Sequence, residues 1–435
     1  MLLKFLRLIV LTFFREIVIK GQDHLPQSGP VIFTSNHPNA LIDPLLLLYL
    51  PPQYRIRFVA KAPLFKIPLL GWLMRRIGAI PVMRRLDVKG NVDYETFFAS
   101  CVDTLAAGDS IAIFPEGRSL PQPYMTSLRT GAARLFFFAC EKDLDVKIVP
   151  VGLNYERGSV FRTPVVVSVA PPLDTSAYVE KRESNPNKAV RELTDEISQA
   201  LNQHVFQAGD FRDRDLLMLL DRIYRLEQID DSWPERLTRL KKFESGLNTL
   251  RDSCSPEIDR LRRMLSKYEI LSLTAEKKHP PSCSDTPRST RRFLMALAGL
   301  PIASLGALLN ILPYKVCGLL VNSIRKYNEA EAATYKVVYS IFLYPLAFLG
   351  EGLLIHWWLG WAASIPFAIG IIPLSYFTLF FFEWLSKGGW GISMPIKRIE
   401  KIHSYQISKR LHNERRRIQD QVDSLANRLD ALDRG

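Results

Sequence analysis

From Val337 to Ser386 the chain runs for 50 residues without a lysine or an arginine. Nothing else in the sequence constrains the fold as strongly. A segment of this length and apolar character supplies two helices of about 20 residues each, enough to cross a bilayer twice. Trp357, Trp358 and Trp361 fall near its middle, where a turn between two spans would place an aromatic belt. Lys336 closes one end, and Lys387, Lys397, Arg398 and Lys401 follow the other. Positive charge at both ends predicts that both lie on the cytoplasmic side, with an even number of crossings. The expected spans are about 337–358 and 362–385, in a multi-pass membrane protein. Glu351 lies inside the first span, where a charge is costly and is expected to face protein or to carry a proton.

The preceding stretch, Phe293–Val321, is also apolar. It contains Pro301, Pro313 and Lys315, and basic residues flank it (Arg291 and Arg292; Arg325 and Lys326). A re-entrant or interfacial hairpin is expected here, within a membrane region 292–386; one or two full spans are the alternative. Whole-chain averages conceal this segregation: over 435 residues the mean hydropathy is only +0.01. With 47% apolar residues the chain is neither disordered nor collagenous. Five cysteines (Cys101, Cys140, Cys254, Cys283, Cys317) form no CxxC pair, which argues against a secreted disulfide framework. Seven histidines form no HExxH and no Cys/His cluster, so no metal site is expected.

The rest of the chain divides by pattern. Residues 1–20 pair a dense apolar face with Lys4, Arg7, Arg15 and Lys20, as in an amphipathic helix on an anionic membrane surface; a helix packed on its own domain is the alternative. Residues 21–180 read as an α/β domain with a mixed, mainly buried sheet. Apolar or β-rich runs at Val31–Ser35, Ile56–Ala60, Ser110–Phe114, Lys147–Leu153 and Val165–Ala170 alternate with helical patterns. Residues 181–274 are charged and helical in period, an accessory bundle of three or four helices, and 275–291 is a Pro- and Ser-rich linker. In the tail, 387–435, Leu411, Ile418, Val422, Leu425, Leu429 and Leu432 make a short heptad seam. It predicts either a homodimer through 411–432 or packing back on the accessory bundle.

Four chemical segments follow candidate strands: His37, Lys61, Glu116 and Asn154 each come just after a run. In an open α/β sheet ligands bind outside the carboxyl ends of the strands, so these segments are expected to share one site. In Asn36-His37-Pro38-Asn39-Ala40-Leu41-Ile42-Asp43 a loop can bring the carboxylate back to the imidazole. A carboxylate on one ring nitrogen raises the basicity of the other, so His37 can act as general base, held by Asp43. Asp43 also reads as a helix N-cap with Pro44 at the first position. Phe114-Pro115-Glu116-Gly117-Arg118-Ser119 offers a glycine for close approach and a guanidinium for phosphate. Residues 60–85 interleave basic and apolar residues, including Lys61, Arg84 and Arg85, as in a membrane-facing phosphate clamp. No GxGxxG, P-loop or full GxSxG occurs, and no nucleic-acid-binding pattern accompanies the net charge of +13.

These segments resemble the four motifs of the phospholipid/glycerol acyltransferase superfamily, the lysophosphatidate acyltransferase-like enzymes. The first motif, usually N-H-x4-D, resembles 36–43. The second resembles Phe65–Trp72 through Gly78–Arg85, the third Phe114–Ser119 and the fourth Ile148–Gly152. They occur in family order, over about residues 20–175. Two departures stand out: five residues separate His37 from Asp43 instead of four, and Arg118 follows Gly117 directly, without an intervening Thr or Ser. Both look like the fungal-type glycerol-3-phosphate/dihydroxyacetone-phosphate acyltransferases. The resemblance implies acyl transfer from acyl-CoA or acyl carrier protein to a glycerol-backbone hydroxyl, with no cofactor and no metal. Asn36 would shape the loop, and Lys61, Arg84, Arg85, Glu116, Gly117, Arg118 and Ser119 would serve the acceptor and its phosphate. A lysolipid-remodelling acyltransferase is the nearest alternative. A thioesterase or lipid hydrolase using Ser119 and a catalytically inactive membrane scaffold are the other readings.

Overall fold

The five apolar runs become strands of one sheet in the computed structural model, which describes residues 2–83, 94–225, 232–250, 255–278, 290–325, 331–387 and 405–432; two further strands join them, Ile17–Lys20, expected as the end of the N-terminal helix, and Ile80–Val82. Two units divide the chain: Met1–Arg214, Ser232–Lys241 and Tyr327–Thr334 form the first, and Asp215–Asp231, Lys242–Lys326 and Tyr335–Gly435 the second.

The first unit holds a seven-stranded mixed sheet in the order β1-β7-β6-β2-β5-β3-β4. Its strands are β1 Ile17–Lys20, β2 Val31–Ser35, β3 Ile56–Lys61, β4 Ile80–Val82, β5 Ser110–Ile113, β6 Lys147–Tyr155 and β7 Val165–Val169. The five strands from β6 to β4 run parallel, and β7 is antiparallel to β6. Register places Ile32 of β2 opposite Ile111 of β5 and Ile148 of β6, so the carboxyl ends of these strands share one edge. All of β2 and β5 is buried, which is why they read as unbroken apolar runs rather than alternating ones.

Helices surround the sheet: α1 Leu2–Phe13, α2 Ile42–Leu47, α3 Pro68–Arg76, α4 Tyr94–Ala106, α5 Gly131–Cys140, α6 Ser176–Ser184 and α7 Pro186–His204. Phe98 and Leu105 of α4, Leu135 and Phe136 of α5, and Leu193, Ile197 and Leu201 of α7 close one core over Ile32, Ile111 and Ile148. The expected boundary at residue 180 therefore moves. Helix α7 looked like accessory sequence because its outer face is charged, yet its apolar stripe belongs to the core of the α/β unit. Helix α1 packs on its own unit along one face. Leu6, Val10 and Phe13 are buried in the unit, while Leu3, Phe5, Leu8 and Leu11 form a second, exposed apolar face.

The second unit begins within α8 Phe211–Arg225 and continues through α9 Trp233–Leu250 from Lys242 onward, then α10 Ser255–Lys278. The tail helix, here α14 (Tyr405–Leu432), lies antiparallel along α10: Lys267 pairs with Glu414 at 2.7 Å and Arg428 with Glu257 at 2.6 Å. Leu411, Ile418 and Leu425 are buried against Leu216, Leu220, Ile258, Leu261 and Leu265. Along these residues the heptad seam packs back on the accessory bundle, the second of the two outcomes expected.

The apolar region also departs from expectation. Residues 293–321 are not a hairpin. They lie in one continuous helix of 36 residues, α11 Thr290–Arg325, which runs through Pro301 and Pro313. Proline is tolerated in apolar membrane helices because neighbouring groups satisfy the freed carbonyls. Next come α12 Ala332–Leu359 and α13 Trp361–Lys387, joined by Gly360 alone. Among the described residues three helices are long and apolar enough to cross a membrane: Phe293–Ser323, Ala332–Leu359 and Trp361–Leu385. Helices α11 and α13 pack antiparallel through small residues. A Cβ on Gly306 would sit 2.0 Å from Thr378 Oγ1, and Asn310 Nδ2 donates to Ser375 Oγ at 2.9 Å. Such close backbone approach is how apolar helices associate where no hydrophobic force drives them together. Of the 275–291 linker, residues 275–278 extend α10 and Thr290 opens α11; 279–289 lie outside the described residues.

Candidate active site

Strand β2 ends at Ser35, and the next two residues turn across the carboxyl edge of the sheet. Asn36 is buried and grips β6: its Nδ2 donates to Leu153 O at 3.1 Å and its Oδ1 accepts from Leu153 N at 2.7 Å. Both polar atoms serve the backbone, so Asn36 extends the β2–β6 pairing rather than touching substrate. His37 follows. Its Nδ1 lies 2.8 Å from Asp43 Oδ2, and its ring stacks on Phe114 with centroids 4.2 Å apart. Its backbone N–H donates to Glu116 Oε1 at 2.8 Å. The imidazole is thus fixed by its backbone, its face and one nitrogen.

Asp43 is fully buried. Helix α2 starts at Ile42, two residues earlier than the capping pattern suggests, and Asp43 stands in its first turn with the carboxylate turned back into the loop. Three donors meet it: His37 Nδ1–H, Asn39 N–H at 2.7 Å, and the Tyr155 hydroxyl on Oδ1. A carboxylate only accepts, so His37 must carry its proton on Nδ1, which leaves Nε2 as the free base. Burial, reinforced by the Asp43 charge, pushes the Tyr155 hydroxyl well above its ordinary pKa. Tyr155 therefore stays a neutral donor throughout the working range.

Tyr155 and Asn39 were not anticipated; Asn154 was. Strand alternation explains the exchange: neighbouring residues of β6 point to opposite faces, so only one of this pair can meet the loop. Asn154 faces away and ties down the chain after α7, with Oδ1 accepting from Phe206 N at 2.7 Å and Nδ2 donating to His204 O at 2.9 Å. Replacing Tyr155 with phenylalanine should lower stability by about 1.5–3 kcal/mol, the scale of a hydrogen bond to a charged group. Denaturant unfolding of the detergent-solubilised chain measures this; an unchanged midpoint would mean that the phenol contributes nothing to holding Asp43.

The third segment behaves differently from expectation. Glu116 is buried, and both its oxygens are taken by the protein: Oε1 by His37 N, and Oε2 by Thr126 N at 3.0 Å and Thr126 Oγ1 at 2.9 Å. It is a strut under the histidine rather than an acceptor ligand. Gly117 turns the chain with φ +70°, and a Cβ there would meet Arg129 Nε at 2.7 Å. Arg129 is exposed beside that turn, a cation that the sequence pattern did not single out. Arg118 is exposed at the same turn, and Lys61 is exposed at the end of β3; both remain placed to meet an anion. Ser119 Oγ accepts from Ala40 N at 2.8 Å, so its oxygen braces the histidine loop, and nothing in this arrangement favours it as a nucleophile. Arg84 and Arg85 lie outside the described residues.

A histidine on a buried carboxylate, with one ring nitrogen left to accept a proton at the carboxyl edge of a mostly parallel sheet, has the geometry of a general base. Comparison with known proteins gives this class its family. A family model described as Acyltransferase matches residues 16–154, and this part of the chain is an acyltransferase domain. The chain is 32% identical to a chloroplastic 1-acyl-sn-glycerol-3-phosphate acyltransferase of Arabidopsis thaliana, over 32% of this chain and 36% of that protein. It is 26% identical to glycerol-3-phosphate O-acyltransferase 1 of Saccharomyces cerevisiae, over 49% of this chain and 40% of that protein. An uncharacterized acyltransferase of Schizosaccharomyces pombe is 22% identical over 96% of this chain and 79% of its own length. The chain thus spans well under half of the plant and budding-yeast relatives.

Proposed function

We propose that this chain is a membrane-bound O-acyltransferase of phospholipid biosynthesis. It moves a fatty acyl group from acyl-CoA or acyl carrier protein to a hydroxyl of glycerol-3-phosphate, dihydroxyacetone phosphate or 1-acylglycerol-3-phosphate. The observation that carries this reading is the His37–Asp43 pair, with Nδ1 committed to a buried carboxylate. His37 Nε2 takes the proton of the acceptor hydroxyl as its oxygen attacks the thioester carbonyl. The carbon–sulfur bond then breaks, and the leaving thiolate takes the proton back from Nε2. Asp43 stabilises the imidazolium between these steps. Lys61, Arg118 and Arg129 are exposed cations for the acceptor phosphate, with Arg84 and Arg85 further candidates on sequence alone. The names of the plant and budding-yeast relatives support the acceptor class. The purified chain, assayed with one acyl-CoA against a panel of these acceptors, tests the reading. Transfer to one of them is expected; thioester hydrolysis without acceptor would support a thioesterase instead.

The proposal includes a topology, with the catalytic domain and tail on the cytoplasmic side. The packing of α14 along α10 supports an even number of crossings, which returns the chain to the side it left. Two crossings satisfy it, and the charge pattern assigns them to α12 and α13. Reporter fusions after Arg291 and after Gly435 should both report the cytoplasm, and a cysteine at Gly360 should label from the far side with an impermeant maleimide. Opposite locations for the two fusions would overturn the arrangement.

A further inference from the structure

The His37–Asp43 loop carries one residue more than the family spacing, and its backbone shows how that residue is accommodated. Every amide hydrogen in the loop has a partner. His37 N donates to Glu116, Asn39 N to Asp43, Ala40 N to Ser119 Oγ at 2.8 Å, Leu41 N to Thr334 Oγ1 at 3.1 Å, and Ile42 N to Asn39 O at 3.0 Å. Pro38 has no amide hydrogen. Ala40 takes the left-handed conformation, φ 41°, which residues with a Cβ rarely adopt, so the loop bulges there. The bulge turns two consecutive N–H groups, those of Ala40 and Leu41, away from the loop itself. Ser119 receives the first from the third motif. Thr334 receives the second.

Thr334 differs from the other partners. Glu116, Ser119, Asp43 and Asn39 all lie within residues 16–154, the matched acyltransferase domain. Thr334 lies in the first turn of α12, and residues 331–334 cluster with the α/β unit. Ala332 and Ala333 beside it are 1% and 0% exposed. The acyltransferase domain alone would leave the Leu41 amide without this partner in a half-buried place. We infer that Thr334 is a positioning residue for the catalytic dyad: the first turn of α12 completes the enlarged loop that aligns His37 with Asp43. The first turn of α12, which belongs to the α/β unit, is then part of the active site. The inference rests on the proposed role of His37 as general base.

Thr334→Val removes the acceptor oxygen while keeping the branched shape, and Thr334→Ser restores the oxygen. In the full-length chain, Thr334→Val should lower kcat about tenfold with KM for both substrates unchanged, since the loop aligns the base rather than binding the acceptor. Thr334→Ser should recover activity to within about twofold. A second readout needs no turnover: diethyl pyrocarbonate modification of His37, followed by peptide mass spectrometry, should quicken severalfold in Thr334→Val and not in Thr334→Ser. Membrane flotation of each variant separates a loop effect from lost insertion, and Thr334→Ala repeats the test if the valine variant does not accumulate. A wild-type chain inactive on every acceptor would remove the proposed function, while the labelling result would still decide the loop. Wild-type kcat and wild-type labelling in Thr334→Val would overturn the inference.

Discussion

His37→Ala should lower acyl transfer by about 10²–10⁴-fold, the usual contribution of a general base, while the protein still inserts into membranes. The geometry explains why the loss falls on chemistry rather than folding. The backbone N–H of residue 37 keeps its bond to Glu116 whatever the side chain, and the ring is partly exposed at the sheet edge. Steady-state assay of membranes carrying the variant, normalised to flotation, measures the loss. Turnover within threefold or so of wild type would exclude His37 as the base.

Asp43→Asn should be nearly as severe, at about 10²–10³-fold in kcat, for a different reason. The substitution is isosteric. An asparagine oxygen at the Oδ2 position still accepts from His37 Nδ1 and Asn39 N, and its NH2 at the Oδ1 position faces the Tyr155 hydroxyl, which can turn to accept. Packing and tautomer are therefore largely preserved. What disappears is the buried negative charge beside the imidazole, and with it the stabilisation of the imidazolium formed as the acceptor is deprotonated. The signature is a fall in kcat with KM and thermal stability little changed. An Asp43→Asn enzyme within tenfold of wild type would show that the carboxylate positions the ring without helping the chemistry.

Much of the sheet was legible because its strands are buried on both faces and read as apolar runs. The site's location was legible too, since His37 and Glu116 both follow such runs. The roles of the polar residues were not. Asn36, Glu116 and Ser119 stand where ligand-binding residues stand, but residue type and spacing do not say whether a side chain turns toward substrate or back to its own backbone. All three turn back, to Leu153, His37 and Ala40. Tyr155 was missed by a single step of strand alternation. Helix α11 was misread because proline stops a helix in water but not among apolar helices. The tail seam presented two outcomes that sequence weighs equally, since Leu411 and Ile418 fit a second copy or α10 alike. Thr334 carries no local signal, because its partner is 293 residues away.

That separation bears on how the protein comes into being. During synthesis the strands of the sheet are complete once Val169 has emerged, and His37, Asp43 and Tyr155 can already meet. Leu41, however, waits for a hydroxyl that arrives only after α11 has been made. Closing so long a loop is among the slower events available to a folding chain. Catalytic competence should therefore mature late, once the ribosome has delivered the chain to the bilayer. A nascent or truncated form would carry a folded acyltransferase domain whose loop is still open. The order of synthesis would itself hold the enzyme to a fraction of its rate until the first turn of α12 has been made.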